Sequence, residues 1–168
     1  EIRPRDWSSD VCSSDLLATR RYTRPMAELD RPKRPVPRPL PSVLSGAHAD
    51  VYFLRTERLL ATERRNPVVS MEVFARVDGA ILCGIDEVKG LLAIALESDA
   101  ASGRADVWAL ADGDEIAARE VVLRIRAPYR SIAHLETSYL GALSHGTGWA
   151  TAAAKVVAAA GPIPVIAF

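Results

Sequence analysis

Six prolines fall between Pro25 and Pro41, at positions 25, 32, 35, 37, 39 and 41, interleaved with Arg31, Lys33, Arg34 and Arg38. Proline has no backbone N–H and a fixed φ, so this density forbids a helix and disfavours a central strand. The segment is expected to be an extended, polyproline-like leader. A ligand for an SH3-type domain or a weak nucleic-acid arm could share the composition, but a solvated leader is the simpler reading. Regular structure should therefore begin near His48, which leaves room for one domain with a real core in a chain of 168 residues.

Charge excludes some classes of function. Lysine plus arginine number 21 and aspartate plus glutamate 21, so no global field favours nucleic acid or an anionic membrane. No apolar run approaches the roughly 20 residues that span a bilayer. The alanine-rich stretch from Ala150 to Ala160 contains Lys155 and reads as a soluble helix. Cys12 and Cys83 have no metal-ligand spacing, and a reduced, cytoplasmic protein is the expectation.

The two ends carry expectations of their own. Asp6 to Leu16 repeats Ser-Ser-Asp, has no hydrophobic period, and resembles the translated read-through of a sequencing adapter. Residues 1–16 are set aside for that reason, with a genuine tail as the alternative, and Met26 is a plausible start. Gly161 to Phe168 reads as a helix stop followed by a buried strand that expects neighbours on both sides. The expected organisation is a non-native leader over 1–25, a Pro/Arg-rich disordered leader over 26–45, an N-terminal α+β domain over 46–160, and a truncated barrel strand over 161–168.

Within the folded part, Asp50 is a candidate N-cap for a helix to about Arg65, ended by Asn66-Pro67. Val69, Met71, Val73, Ala75 and Val77 alternate with polar residues as a one-face-buried strand, with Phe74 out of pattern. Asp78-Gly79 signals a tight turn into a short strand from Ala80 to Cys83. Ile85, Val88, Leu92 and Leu96 predict a helix over about 85–97, and Ser98 to Arg104 a loop. Strands are expected over Ala105–Leu110 and Glu120–Arg126, joined through a turn at Asp112-Gly113-Asp114. Ile132, Leu135, Tyr139 and Leu143 predict a third helix. Gly146 and Gly148 should interrupt it before a fourth. Short antiparallel strands with helices to one side make an α+β domain.

Most familiar chemistries are absent. His48, His134 and His145 lack zinc spacing, and each reads as a surface or capping histidine. There is no Gly-x-Ser-x-Gly elbow. Gly146-Thr147-Gly148 joins two expected helices, whereas a phosphate loop needs a strand before its helix. The strand–turn–strand from Ala105 to Arg126 has the shape of a biotinyl or lipoyl carrier, but its turn, Ala111-Asp112-Gly113-Asp114, has no lysine to hold a cofactor.

Two clusters remain. Tyr52, Arg55 and Thr56 share one helix face, offering a ring, a guanidinium and a hydroxyl to a flat carboxylate ligand. Spacing alone favours the plainer alternative, an amphipathic helix with an ordinary solvated side. Leu135-Glu136-Thr137 embeds a carboxylate in an otherwise apolar helix, where it needs a partner or water.

The order Ala49-Asp50-Val51-Tyr52-Phe53-Leu54-Arg55-Thr56, Val69 to Arg76, Ala127-Pro128-Tyr129, Leu135-Glu136-Thr137-Ser138-Tyr139-Leu140-Gly141, Gly148-Trp149-Ala150-Thr151 and Pro164 to Phe168 resembles nicotinate phosphoribosyltransferases, above all the shorter, archaeal-type branch. The likeness covers about residues 46–168, with Ala127 where the family usually has glycine. It implies a type II phosphoribosyltransferase: an N-terminal open-faced antiparallel α+β sandwich before an incomplete α/β barrel. It also implies transfer of phosphoribose from 5-phosphoribosyl 1-diphosphate to nicotinate, with ATP and Mg, in a head-to-tail homodimer. Tyr52 matches an aspartate-x-tyrosine motif whose tyrosine reaches the nicotinate site across the dimer. Glu136 and Thr137 match the step where quinolinate enzymes use Glu-Arg-Thr, so the missing arginine favours nicotinate. The substrate-binding set implied is Tyr52, Arg55, Thr56, Glu136 and Thr137. The catalytic groups are expected downstream of Phe168, and this chain alone is expected to be inactive, to bind no cofactor and to contain no metal site. A quinolinate or nicotinamide enzyme, or a non-catalytic interaction domain of the same fold, is the alternative.

Overall fold

The computed structural model describes Pro32 and residues 35–167. The expectations for residues 1–25, for Met26 as a start, for Cys12 and for the first part of the proline segment lie outside the described residues. Order begins earlier than His48. Pro41–Leu44 form one turn of helix, α1, with Pro41 at the first helical position, where its missing N–H costs nothing. Val43 and Leu44 pack against the core. Val36 of the leader lies so close to α3 (Ile85–Ala95) that a Cβ on Gly90 would meet its methyl at 2.5 Å.

Helix α2 covers Val51–Thr62, and strand β1 covers Val68–Phe74. Odd positions of β1 face inward and even ones outward, so Phe74 is exposed and the alternation is unbroken. Asp78-Gly79 does turn the chain, with Gly79 at φ 68, but it makes no hairpin. Strand β1 instead pairs antiparallel with β5 (Val121–Pro128), while β2 (Ala80–Ile81) pairs with β4 (Glu115–Ile116) in a second sheet. A register slip between Val73 and Phe74 marks where β1 leaves its ladder. Strand β3 (Asp106–Ala109) takes the other edge, giving the order β1-β5-β3. The carrier-like pair of β3 and β5 is thus part of a larger sheet.

One face of that sheet is covered. Val107, Leu123 and Ile125 pack with Ile85, Val88 and Leu92 of α3, and with Leu135, Tyr139 and Leu143 from the C-terminal helix. Each such side chain contributes roughly 2 kcal/mol by leaving water. The opposite face carries Glu72 and Arg124, directly across from one another, with the Arg124 Nε–H donating to Glu72 Oε1 at 2.7 Å. The architecture is the open-faced antiparallel α+β sandwich expected from the sequence.

Three local expectations need correction. Residues 98–104 are only partly loop, because α4 (Glu97–Ala101) continues from α3 after a kink at Leu96. Its Asp99 accepts from Ser131 Oγ at 2.6 Å and from Arg104, tying it to α5 (Tyr129–Ile132). A 3-10 turn (Ala133–Leu135) then leads into one unbroken helix, α6, over Glu136–Ala160. Gly146 and Gly148 do not interrupt it. At Gly146 a Cβ would lie 2.8 Å from the Cys83 carbonyl oxygen, so this glycine lets α6 press against β2 and its loop. Thr147 and Thr151, one turn apart, accept from the Cys83 and Ile81 amides at 3.2 and 2.9 Å, so the helix edge stands in for a missing strand partner. Residues 164–167 form no strand and are exposed. A buried strand needs ladders on both sides, and none is offered to it among the described residues.

Helix α3 also shows capping from a distance. Gly84, at φ 102, supplies no side chain, and Asp112 accepts from the Ile85 and Asp86 amides at 2.8 and 3.3 Å. The turn Asp112-Gly113-Asp114 therefore serves as the cap of a helix.

Asp106 is the one strained charge of the sheet. It is 6% exposed, and its Oδ2 has no hydrogen-bond partner. Burial raises its pKa above the ordinary carboxylate range, and the charges of Arg126 and Arg124 offset only part of that. A raised folded-state value means full stability below the ordinary carboxylate range, lost as pH rises through the folded pKa. Asp106→Asn is therefore expected to melt higher than the parent at pH 7, with the gap closing by about pH 3. Parallel thermal melts at the two pH values check this, and an equal gap at both would refute it.

Candidate functional site

The sequence-predicted residues meet where α2 begins and α6 begins. Helix α2 lies against the 3-10 turn before α6, pinned by Glu57 Oε1 and His134 Nδ1 at 2.8 Å and by the buried Phe53. That packing brings the N-terminus of α2 beside the first turn of α6. There the Thr137 hydroxyl donates to Asp50 Oδ2 at 3.5 Å, across a sequence separation of 87.

Tyr52 stands at the centre of this meeting point. Its side chain is 54% exposed, and its ring leans on Phe53 with centroids 4.2 Å apart and planes tilted by 43°. Partial loss of water pushes its phenol pKa up, reinforced by the Asp50 and Glu136 charges. The phenol thus stays a neutral donor. Glu136 is half-buried, and its pKa is raised first by burial and then by Asp50. Tyr139, one turn along α6 from Glu136, is almost fully buried, and burial raises its hydroxyl pKa far beyond the physiological range, with Glu136 and Tyr129 adding to it.

Tyr52, Glu136 and Thr137 therefore converge, and the other two predicted residues do not join them in the same way. Arg55 is exposed on α2. Thr56 donates its hydroxyl hydrogen to the Tyr52 carbonyl at 2.9 Å, so it is committed to the helix backbone. Asp50 was legible as an N-cap and as the aspartate of the aspartate-x-tyrosine match. It does occupy the N-cap position, but its carboxylate makes no capping bond and serves the cluster instead. Nothing in the sequence flags that choice, because the partners are remote. Tyr129, which also bears on Tyr52, was legible only as part of the Ala127-Pro128-Tyr129 match.

The cluster lies on open surface. A groove of about 920 Å³ runs nearby between the leader at Pro37–Leu40, α3 and α6, and it reaches the cluster only at Thr137. No group of three or more His, Cys, Asp or Glu able to hold a metal exists among the described residues. His48 meets the Ser42 hydroxyl at 3.2 Å, and His145 sets its ring edge-on to Trp149. No helix of the described residues is long and apolar enough to cross a membrane.

The open-faced antiparallel sandwich matches one class of protein, the N-terminal domain of type II phosphoribosyltransferases. The chain belongs to the family described as quinolinate phosphoribosyl transferase, N-terminal domain, whose model matches residues 50–147. Among solved structures it is similar to nicotinate-nucleotide pyrophosphorylase from Pyrococcus furiosus, with 29% identity and a TM-score of 0.62. That match covers 76% of this chain and 32% of the other, so the chain spans about a third of the length of the protein it matches. No curated protein matches it.

Proposed function

We propose that this chain supplies the N-terminal domain of an enzyme that transfers phosphoribose from 5-phosphoribosyl 1-diphosphate to nicotinate, forming nicotinate mononucleotide for NAD synthesis. The observation that carries the proposal is the convergence of Tyr52 and Thr137 on one exposed rim, from segments far apart in sequence. A neutral phenol and a hydroxyl suit a flat pyridine ring with a carboxylate beside it. The bond-forming step joins the pyridine nitrogen to the ribose carbon as diphosphate leaves. The rim is assigned to binding and orienting the ring, as the lid of a site completed by other parts of the enzyme. ATP with Mg is proposed for the whole enzyme, as is a homodimer in which the lid serves the neighbouring subunit.

Quinolinate is the second reading, and the family match favours it. The charge of the rim argues the other way. Asp50 and Glu136 are close enough to raise the Glu136 pKa, and no arginine separates Glu136 from Thr137. A second ligand carboxylate would meet anionic surroundings and lack a cationic receiver. Steady-state assays of the whole gene product with each acid decide between them. The expected result is a kcat/KM for nicotinate about 100-fold above that for quinolinate, the scale a missing charge partner can impose. A preference for quinolinate would overturn the substrate assignment. Residues 26–168 alone are expected to form no mononucleotide.

A further inference from the structure

Strand β1 is the long edge of the three-stranded sheet, and no described residue pairs with its outer side. The register fixes which groups that side presents. Tyr129 donates its amide to the Pro67 carbonyl, so the bonds to β5 come from Val69, Met71 and Val73. The amides and carbonyls of Val68, Ser70, Glu72 and Phe74 therefore point away from the sheet. Such edges are ordinarily blunted by shortness, proline, charge or a bulge. The other edge, β3, is four residues long and carries Asp106. Strand β1 is seven residues long, has no proline, and its one charge, Glu72, is paired with Arg124. The bulge beside Phe74 places its extra residue, Val122, in β5 and leaves β1 regular. Val69, Met71 and Val73 are only half-buried, and Val68 and Phe74 are 41% and 54% exposed.

The strand is also complementary to itself. With two copies antiparallel about a two-fold axis at Met71, Ser70 faces the partner's Glu72, and Val68 faces the partner's Phe74. Each outward hydroxyl then meets a carboxylate, each outward apolar side chain meets another, and no like charges oppose. A shift of two residues loses this match. In one direction the two Glu72 side chains stand face to face; in the other Glu72 meets Val68, and Phe74 runs beyond the ladder. We propose that the β1 edge is an interface between two copies of this chain, joined by main-chain hydrogen bonds into one sheet of twice three strands. It makes no use of the substrate rim and stands or falls apart from it.

Position 70 tests the register. Within the chain its cross-strand neighbour is Arg126, and across the axis it is the partner's Glu72. A carboxylate there suits the single fold and opposes the dimer, whereas an ammonium does the reverse. Sedimentation velocity of the 168-residue chain is expected to show monomer at about 1 µM and dimer at about 100 µM, the weak range for so small an interface. Ser70→Glu should weaken the dimer about tenfold, since the axis repeats the repulsion, with a melting temperature equal to the parent's or higher. Ser70→Lys should keep the dimer or tighten it. A parent chain that stays monomeric at about 100 µM overturns the proposal. So does association that Ser70→Glu leaves undiminished, because the contact then lies elsewhere. Equal weakening by both variants overturns it as well, since only the size of the side chain would then matter.

Discussion

Gly84→Ala is expected to melt about 15 °C below the parent chain, a loss of roughly 3 kcal/mol. Two independent costs meet at this position. Its φ of 102 is one that residues with a Cβ rarely adopt, and an alanine Cβ would sit 2.8 Å from the Ala142 carbonyl oxygen on α6. The first cost is about 1 kcal/mol. The second is overpacking against backbone, which has no rotamer to yield, and adds about 1–3 kcal/mol. Relief would require α6 to move away from the start of α3, and that movement would open the contact between Leu143 and the core. A thermal melt followed by far-ultraviolet circular dichroism checks this. A variant within about 3 °C of the parent would mean that α6 does not press on this loop.

The second large effect has a sign opposite to the ordinary rule. Glycine inside an exposed helix costs about 1 kcal/mol relative to alanine, so Gly→Ala within α6 should stabilise. Gly141→Ala and Gly148→Ala are expected to do so by about 0.5–1 kcal/mol each, since a Cβ there meets nothing within 4 Å. Gly146→Ala is expected to destabilise by about 2 kcal/mol, because its Cβ would meet the Cys83 carbonyl oxygen at 2.8 Å and carbon at 3.0 Å. It would also pry apart the Thr147 and Thr151 bonds to β2. Chemical denaturation of the three variants side by side gives the comparison. If all three shift the same way, the close approach of α6 to β2 is wrong.

These glycines show where the sequence could and could not be read. The period-2 pattern from Val69 to Val73 and the helical spacing from Ile85 to Leu96 predicted strand and helix correctly, because each depends only on which face meets the core, whereas Val77 lies past the end of β1 and is exposed. The apparent exception at Phe74 was not one. An exposed phenylalanine still occupies an outward position. Gly146 and Gly148 were misread as breaks because glycine's local cost was visible, whereas the compensating contact with Cys83 comes from a segment about 60 residues earlier. Asp78-Gly79 is the tight turn that its residues specify, but the turn does not decide which strand β1 pairs with. Turn chemistry specifies the reversal, but the partner of β1 is chosen by the buried strand β5, which lies far along the chain.

The candidate rim was legible in part for the same physical cause. Tyr52 and Thr137 stood out as residue types and as family matches, and the packing of α2 on the turn before α6 brings them together. The roles of Arg55 and Thr56 were inferred from a shared helix face. Face-sharing does not reveal that the Thr56 hydroxyl is already used by the Tyr52 carbonyl.

The strand order β1-β5-β3 has a consequence for how this domain is made. Both edge strands pair with the strand that leaves the ribosome last, and neither pairs with the other. During synthesis β1, with Val69, Met71 and Val73 on one side and Phe74 on the other, must wait through the whole of α3, α4, β3 and β4 before its partner exists. The sheet therefore closes in a single late step, when residues 121–128 have emerged, and not by successive hairpins. Such a nascent chain depends on its helices or on a chaperone to shelter β1 in the interval, and slowing translation upstream of Val121 should increase aggregation and give no aid to folding.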